Sequence, residues 1–142
     1  MNEKLIPIKK YIVNTYKETS YSCFAITDIH FNCSQRNPIL KIEVSHYNSK
    51  IKTLLVFKDF EFYLVSEETF TPHFDNEDFS GFAFVTILTK YSFVDIIKQK
   101  GFDMQFELRN KNPNDFFIFR IIAQNYFIDI FTDKLPEIES QN

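Results

Sequence analysis

Apolar and polar residues alternate along most of this chain, and a period of two is the mark of half-buried strands. In "ILKIEVSHY", residues 39–47, Leu40, Ile42 and Val44 fall on one face and Lys41, Glu43 and Ser45 on the other. That predicts a strand with one face in the core. In "CFAITDIHF", residues 23–31, Phe24 and Ile26 alternate on one parity and Ile29 and Phe31 on the other, which predicts a bulge or twist near Asp28. Asn48 and Ser49 supply turn chemistry. "IKTLLVF" and "FEFYLVS" follow on either side of Lys58 and Asp59 and read as two strands or one long bent one, with Phe60, Phe62 and Leu64 sharing a face.

Further on, "GFAFVTILTK", residues 81–90, is apolar on nearly every position, as expected of a strand with neighbours on both sides and cover on both faces. A short helix is predicted over 92–100. Ser92 can cap it, Asp95 stands three residues on, Phe93, Ile96 and Ile97 line one side, and Gly101 follows the last turn. "DMQFELRN" alternates Met104, Phe106 and Leu108 and reads as another strand before the polar turn "KNPND". The most apolar stretch, "FFIFRIIAQNYFIDIFTDK", comes nearly last. Its two runs are joined by "QN", so residues 116–132 are predicted to be a β-hairpin whose first strand is apolar on both faces. The fold class is therefore α+β and mostly β: one antiparallel sheet, or a partly closed barrel, of about six to eight strands, with a helix at 92–100 packed on it.

Composition refines this picture in two ways. The chain has 142 residues with 18 Phe and 7 Tyr but only 2 Gly, enough for one domain over 1–142 with an aromatic core. An A/T-rich genome would enrich the same residue types, so the bias alone names no function. The N-terminal stretch "MNEKLIPIKKYIVNTYKETS" lacks an uninterrupted apolar run, and neither a secretory signal nor a membrane anchor is expected. With Cys23 and Cys33 as the only cysteines, a cytoplasmic protein with two free, structural thiols is expected.

Motifs that carry chemistry are scarce. There is no phosphate-binding glycine loop, nucleophile elbow, paired-histidine helix or cysteine framework, and nothing calls for a cofactor. His30, His46 and His73 are scattered. "HFDNED", residues 73–78, has ligand types but lacks the alternating acids and central glycine of a calcium loop, so it reads as an acidic solvated loop and no metal site is assigned. Asp28 and His30, two apart on a strand, could act as orienter and base, but no nucleophile accompanies them. No enzyme is expected.

The charge map is more informative. From Asp59 to Thr89 there is no Lys or Arg, while Asp59, Glu61, Glu67, Glu68, Asp75, Glu77 and Asp78 give a formal −7, in a chain whose net charge is −3. Five of these seven acids lie between Ser66 and Ser80. Segregated negative charge either keeps a loop solvated or steers a basic partner toward it. Nucleic acid is not the expected partner, because basic residues are not clustered around aromatics.

The strands "CFAITDIHF" and "LKIEV", the "LLVFKDFEFYLVS" stretch and the closing "FRIIAQNYFIDIFTD" hairpin together resemble small β-rich immunity proteins of bacterial contact-dependent and polymorphic toxin systems. The resemblance runs loosely over residues 20–133 and has no diagnostic motif. It implies a cytoplasmic protein that binds and neutralises a cognate toxin domain, often a nuclease with a basic face. Glu67, Glu68, Asp75, Glu77 and Asp78 would meet that face, anchored by Phe70 and Phe74, because large rings supply most interface affinity and rim acids set its rate and specificity. The alternative is a small barrel or cupped sheet that takes an apolar ligand in an aromatic-lined pocket between sheet and helix. A filled core under an acidic surface favours the first, and an enclosed cavity lined by Phe the second.

Overall fold

The structure, a computed structural model, describes residues 2–34, 38–67, 81–88 and 103–142. The predicted helix at 92–100 and the residues Glu68, Phe70, Phe74, Asp75, Glu77 and Asp78 lie outside them.

The chain is mostly β and antiparallel. Its strands are β1 (Phe24–Asn32), β2 (Ile39–His46), β3 (Lys52–Lys58), β4 (Phe62–Glu67), β5 (Val85–Leu88), β6 (Phe117–Ile122), β7 (Tyr126–Thr132) and β8 (Glu137–Gln141). They form two four-stranded sheets, ordered β1-β2-β3-β8 and β4-β7-β6-β5. The predicted alternation on β2 is observed, with Leu40, Ile42 and Val44 fully buried. The predicted change of parity on β1 is a register shift between Ile26 and Asp28. The hairpin is β6–β7, paired from Phe117↔Thr132 to Ile122↔Phe127. β6 lies between β5 and β7, as its two apolar faces require, whereas β5 stands at the end of its sheet among the described residues.

The sheets face each other across one apolar cluster. Phe24, Leu40, Ile42, Leu55 and Phe57 come from the first sheet, and Val85, Phe119, Ile121, Ile128 and Ile130 from the second. Rings meet edge-on across the gap, with Phe57 and Phe119 centroids 5.4 Å apart. On the far face of the second sheet a smaller cluster gathers Leu88, Phe106, Phe116, Ile118 and Phe131. Alternation sorts β6 between the two, Phe117 and Phe119 inward and Ile118 outward.

Two helices depart from the alternation-based reading. Residues 6–16 carry no predicted element, yet Ile6–Tyr16 forms α1. Leu5, Ile8, Ile12 and Tyr16 recur at helical spacing and are buried in the inter-sheet cluster. Pro7 falls in the first turn, where its missing N–H is not needed. Residues 103–110, predicted as a strand, instead hold α2 (Asp103–Leu108). Only one position of the apparent alternation, Phe106, is buried, while Met104 and Leu108 are exposed. The helix is closed by Asn110 in the left-handed region (φ 54), with the amide of Asn110 bonding the carbonyl of Glu107 and that of Lys111 the carbonyl of Phe106. This crossed pair of bonds is a helix ending that asparagine tolerates well. Asp59 is likewise left-handed (φ 59), and the bend there sends Phe60 into the inter-sheet cluster while Phe62 packs against the outer one, so the two do not share a face.

Candidate binding surface

β4 ends the second sheet and leads directly into the acidic run. It pairs with β7 from Phe62↔Phe131 to Glu67↔Tyr126. Its distal half is unusually open for an apolar strand: Leu64 is 42% exposed, Val65 37% and its neighbour Tyr126 43%. Glu67, the described member of the predicted partner-binding set, is exposed at the strand's last position. An exposed tyrosine and Val65 on the same face as the acid have the mixed character of a protein-binding surface, with Leu64 exposed on the opposite face.

The corner before β4 is arranged differently, in a way that local sequence does not reveal. Asp59 and Glu61 belong to the segment without basic residues, yet bases from distant parts of the chain neutralise both. Arg109 pairs with Glu61 and lies 3.6 Å from Asp59. The Lys111 ammonium lies 3.3 Å from Asp59, 3.6 Å from Glu61 and 3.9 Å from Asp133. Lys134 adds a contact of 3.5 Å to Asp59. Partial burial pushes the Asp59 carboxyl up, but the hydrogen bonds and charges of Lys111 and Lys134 outweigh it, and Asp59 sits below the usual carboxylate range. Two of the seven acids in the −7 segment thus serve the fold; the other five are those predicted to meet a partner.

A second ion pair escaped the sequence reading because it is buried. Arg120 and Asp129 are directly opposite on β6 and β7. The Arg120 Nε donates to Asp129 Oδ1 at 2.7 Å and one terminal nitrogen to Oδ2 at 3.0 Å. Arg120 is fully buried and Asp129 nearly so. Their place beneath the surface of the sheet marks them as structural rather than partner-facing.

Between the two sheets the described rings pack on one another, whereas the expected pocket between sheet and helix falls at residues outside those described. Phe24 packs on Phe84 at 4.6 Å and on His46 at 4.9 Å, and Tyr16 stacks on His46 at 5.1 Å. Among the described residues two clefts lie at the rim. One, of about 350 Å³, is lined by Lys4, Asp115, Phe116, Phe117, Asp133 and Lys134. The other, of about 390 Å³, is lined by Phe106, Glu107, Asn110, Lys111 and Asn112. Both mix charge with apolar surface. Asp28 and His30 are exposed on β1, and among the described residues no group of three or more acidic, histidine or cysteine side chains could hold a metal ion. Cys23 and Cys33 are free thiols. No helix among the described residues is long and apolar enough to cross a membrane.

No family model, curated protein or solved structure matches this chain.

Proposed function

We propose that the chain is a non-enzymatic, cytoplasmic immunity protein that binds and blocks a cognate bacterial toxin domain through the acidic surface continuing from β4. The observation that carries this reading is the exposed end of β4, where Val65 and the cross-strand partner Tyr126 share a face with Glu67, at the point where Glu68, Asp75, Glu77 and Asp78 follow in sequence. Apolar and aromatic side chains there would supply affinity, and the acids would accelerate encounter with a basic face.

The test takes the product of the gene adjacent to the one encoding this chain as the candidate toxin. The two should form a complex whose association weakens with added salt, since charge steering is screened beyond roughly 8 Å at physiological ionic strength. Replacing Glu67→Lys together with Glu68→Lys should slow association severalfold or more without altering the fold. Absence of both binding and protection overturns the immunity reading. Tight binding indifferent to salt and to both reversals removes the acidic surface from it.

A further inference from the structure

α2 is short and weakly anchored by its own side chains. Its six residues fall far below the roughly 12–15 needed for an isolated helix to persist in water. Met104 and Leu108 face solvent, and Phe106 alone among its described side chains is buried, against Phe116 at 4.9 Å and Phe131 at 6.4 Å. Among the described residues the further hold on this segment is electrostatic and comes just after the helix. The turn at Asn110 delivers Arg109 and Lys111 to carboxylates on two other segments, Asp59 and Glu61 at the β3–β4 corner and Asp133 after β7.

Three cations and three carboxylates meet at this corner, with Lys134 as the third cation; Asp115 lines the adjoining cleft with Asp133 and Lys134. The acceptors are not saturated. Glu61 Oε1 and Asp133 Oδ1 are both buried without a hydrogen-bond donor. Lys111 is held by three carboxylates at 3.3–3.9 Å and by the Phe116 ring 5.5 Å from its ammonium, rather than by one short pair. A corner held by shared charge and few directional bonds gives way when the balance of charge changes. Protonating its carboxylates leaves Arg109, Lys111 and Lys134 facing each other as three cations.

We propose that this corner is a releasable strap: neutralising or screening its carboxylates frees residues 103–111 from the second sheet and bares the rings of Phe116 and Phe131, while the two-sheet core stays folded. The Asp59 carboxyl, held below its ordinary value, contributes its attraction fully above that value and loses it as pH falls through the lowered one, so release on acidification falls below about pH 4. A partner that competes for Arg109 or Lys111 would have the same effect at neutral pH.

Amide hydrogen exchange reads the strap directly, because the amides of Asn110 and Lys111 close the turn. Between neutral pH and about pH 3.5, their protection, corrected for intrinsic exchange, should fall about tenfold or more while β6 and β7 keep theirs. Lys111→Met, which keeps an apolar side chain near Phe116, should give the same loss at neutral pH, and the acid titration of the native chain carries the test if that variant does not fold. Loss of protection in 103–111 and in β6–β7 together would show one cooperative unit and overturn the strap. So would protection that is indifferent to both acid and Lys111→Met.

Discussion

Replacing Asp129→Ala removes the carboxylate that grips Arg120 through two bonds of 2.7 and 3.0 Å, and takes both from a guanidinium that has no exposed surface. Breaking a buried pair from one side costs about 3–5 kcal/mol, because the remaining charge loses its partner but stays desolvated. Against the roughly 5–15 kcal/mol that holds a domain of ordinary size together, that is a large fraction. In urea, with a slope of about 1–3 kcal/mol per molar, the unfolding midpoint should drop by roughly 1–5 M at unchanged slope. The paired change Arg120→Met with Asp129→Leu should cost less than the single one, since it leaves no guanidinium buried without that carboxylate and retains volume. The single change costing less than about 1 kcal/mol, the scale of a surface pair, would refute the idea that the sheet depends on this bond.

Ile118 and Ile128 face opposite sides of the second sheet and are both fully buried. Either Ile118→Asp or Ile128→Asp should abolish soluble folding, because an unpaired carboxylate in an apolar layer costs several kcal/mol; a normal thermal unfolding transition in either variant would contradict the burial. At Gly81 an added Cβ would lie 2.1 Å from the Val85 carbonyl oxygen and 2.4 Å from Thr86 Cβ. Gly81→Ala should therefore force the start of β5 to shift, at a cost of about 1–3 kcal/mol, and a melting temperature equal to or above that of the native chain would rule this out.

Alternation located the strands because each sheet has one face on the shared core, and there parity follows burial directly. β2, the bulge of β1 and the β6–β7 hairpin were legible for that reason. α1 was missed, although Leu5, Ile8, Ile12 and Tyr16 recur at helical spacing among the polar residues of that stretch. α2 could not be separated from a strand by period, since six residues hold too few repeats; Asn110, suited to a left-handed helix ending, was the better signal. The division into two sheets depends on which strand edges meet, and parity says nothing about that. At the candidate surface, the sequence singled out Glu67 and its followers. It could not show that Asp59 and Glu61 are neutralised, because their partners Arg109 and Lys111 arrive from about fifty residues away through the bend at Asp59 and the turn at Asn110. The Arg120–Asp129 pair looked like an apolar run with one interruption, because strand register sets it, not local composition.

The pairing of β3 with β8 matters for the order in which the chain can be completed during synthesis. Lys52 is matched to Gln141 and Val56 to Glu137, so the two strands are separated by most of the sequence. β2 can cover one side of β3 as soon as the two have left the ribosome. The other side must wait for residues 137–141, which emerge only after β4 to β7. Until then "TLLVF", whose five residues are all buried in the finished fold, is an open strand edge of high β-propensity. A nascent chain therefore carries this open edge until β8 emerges, and the pairing of β8 closes it.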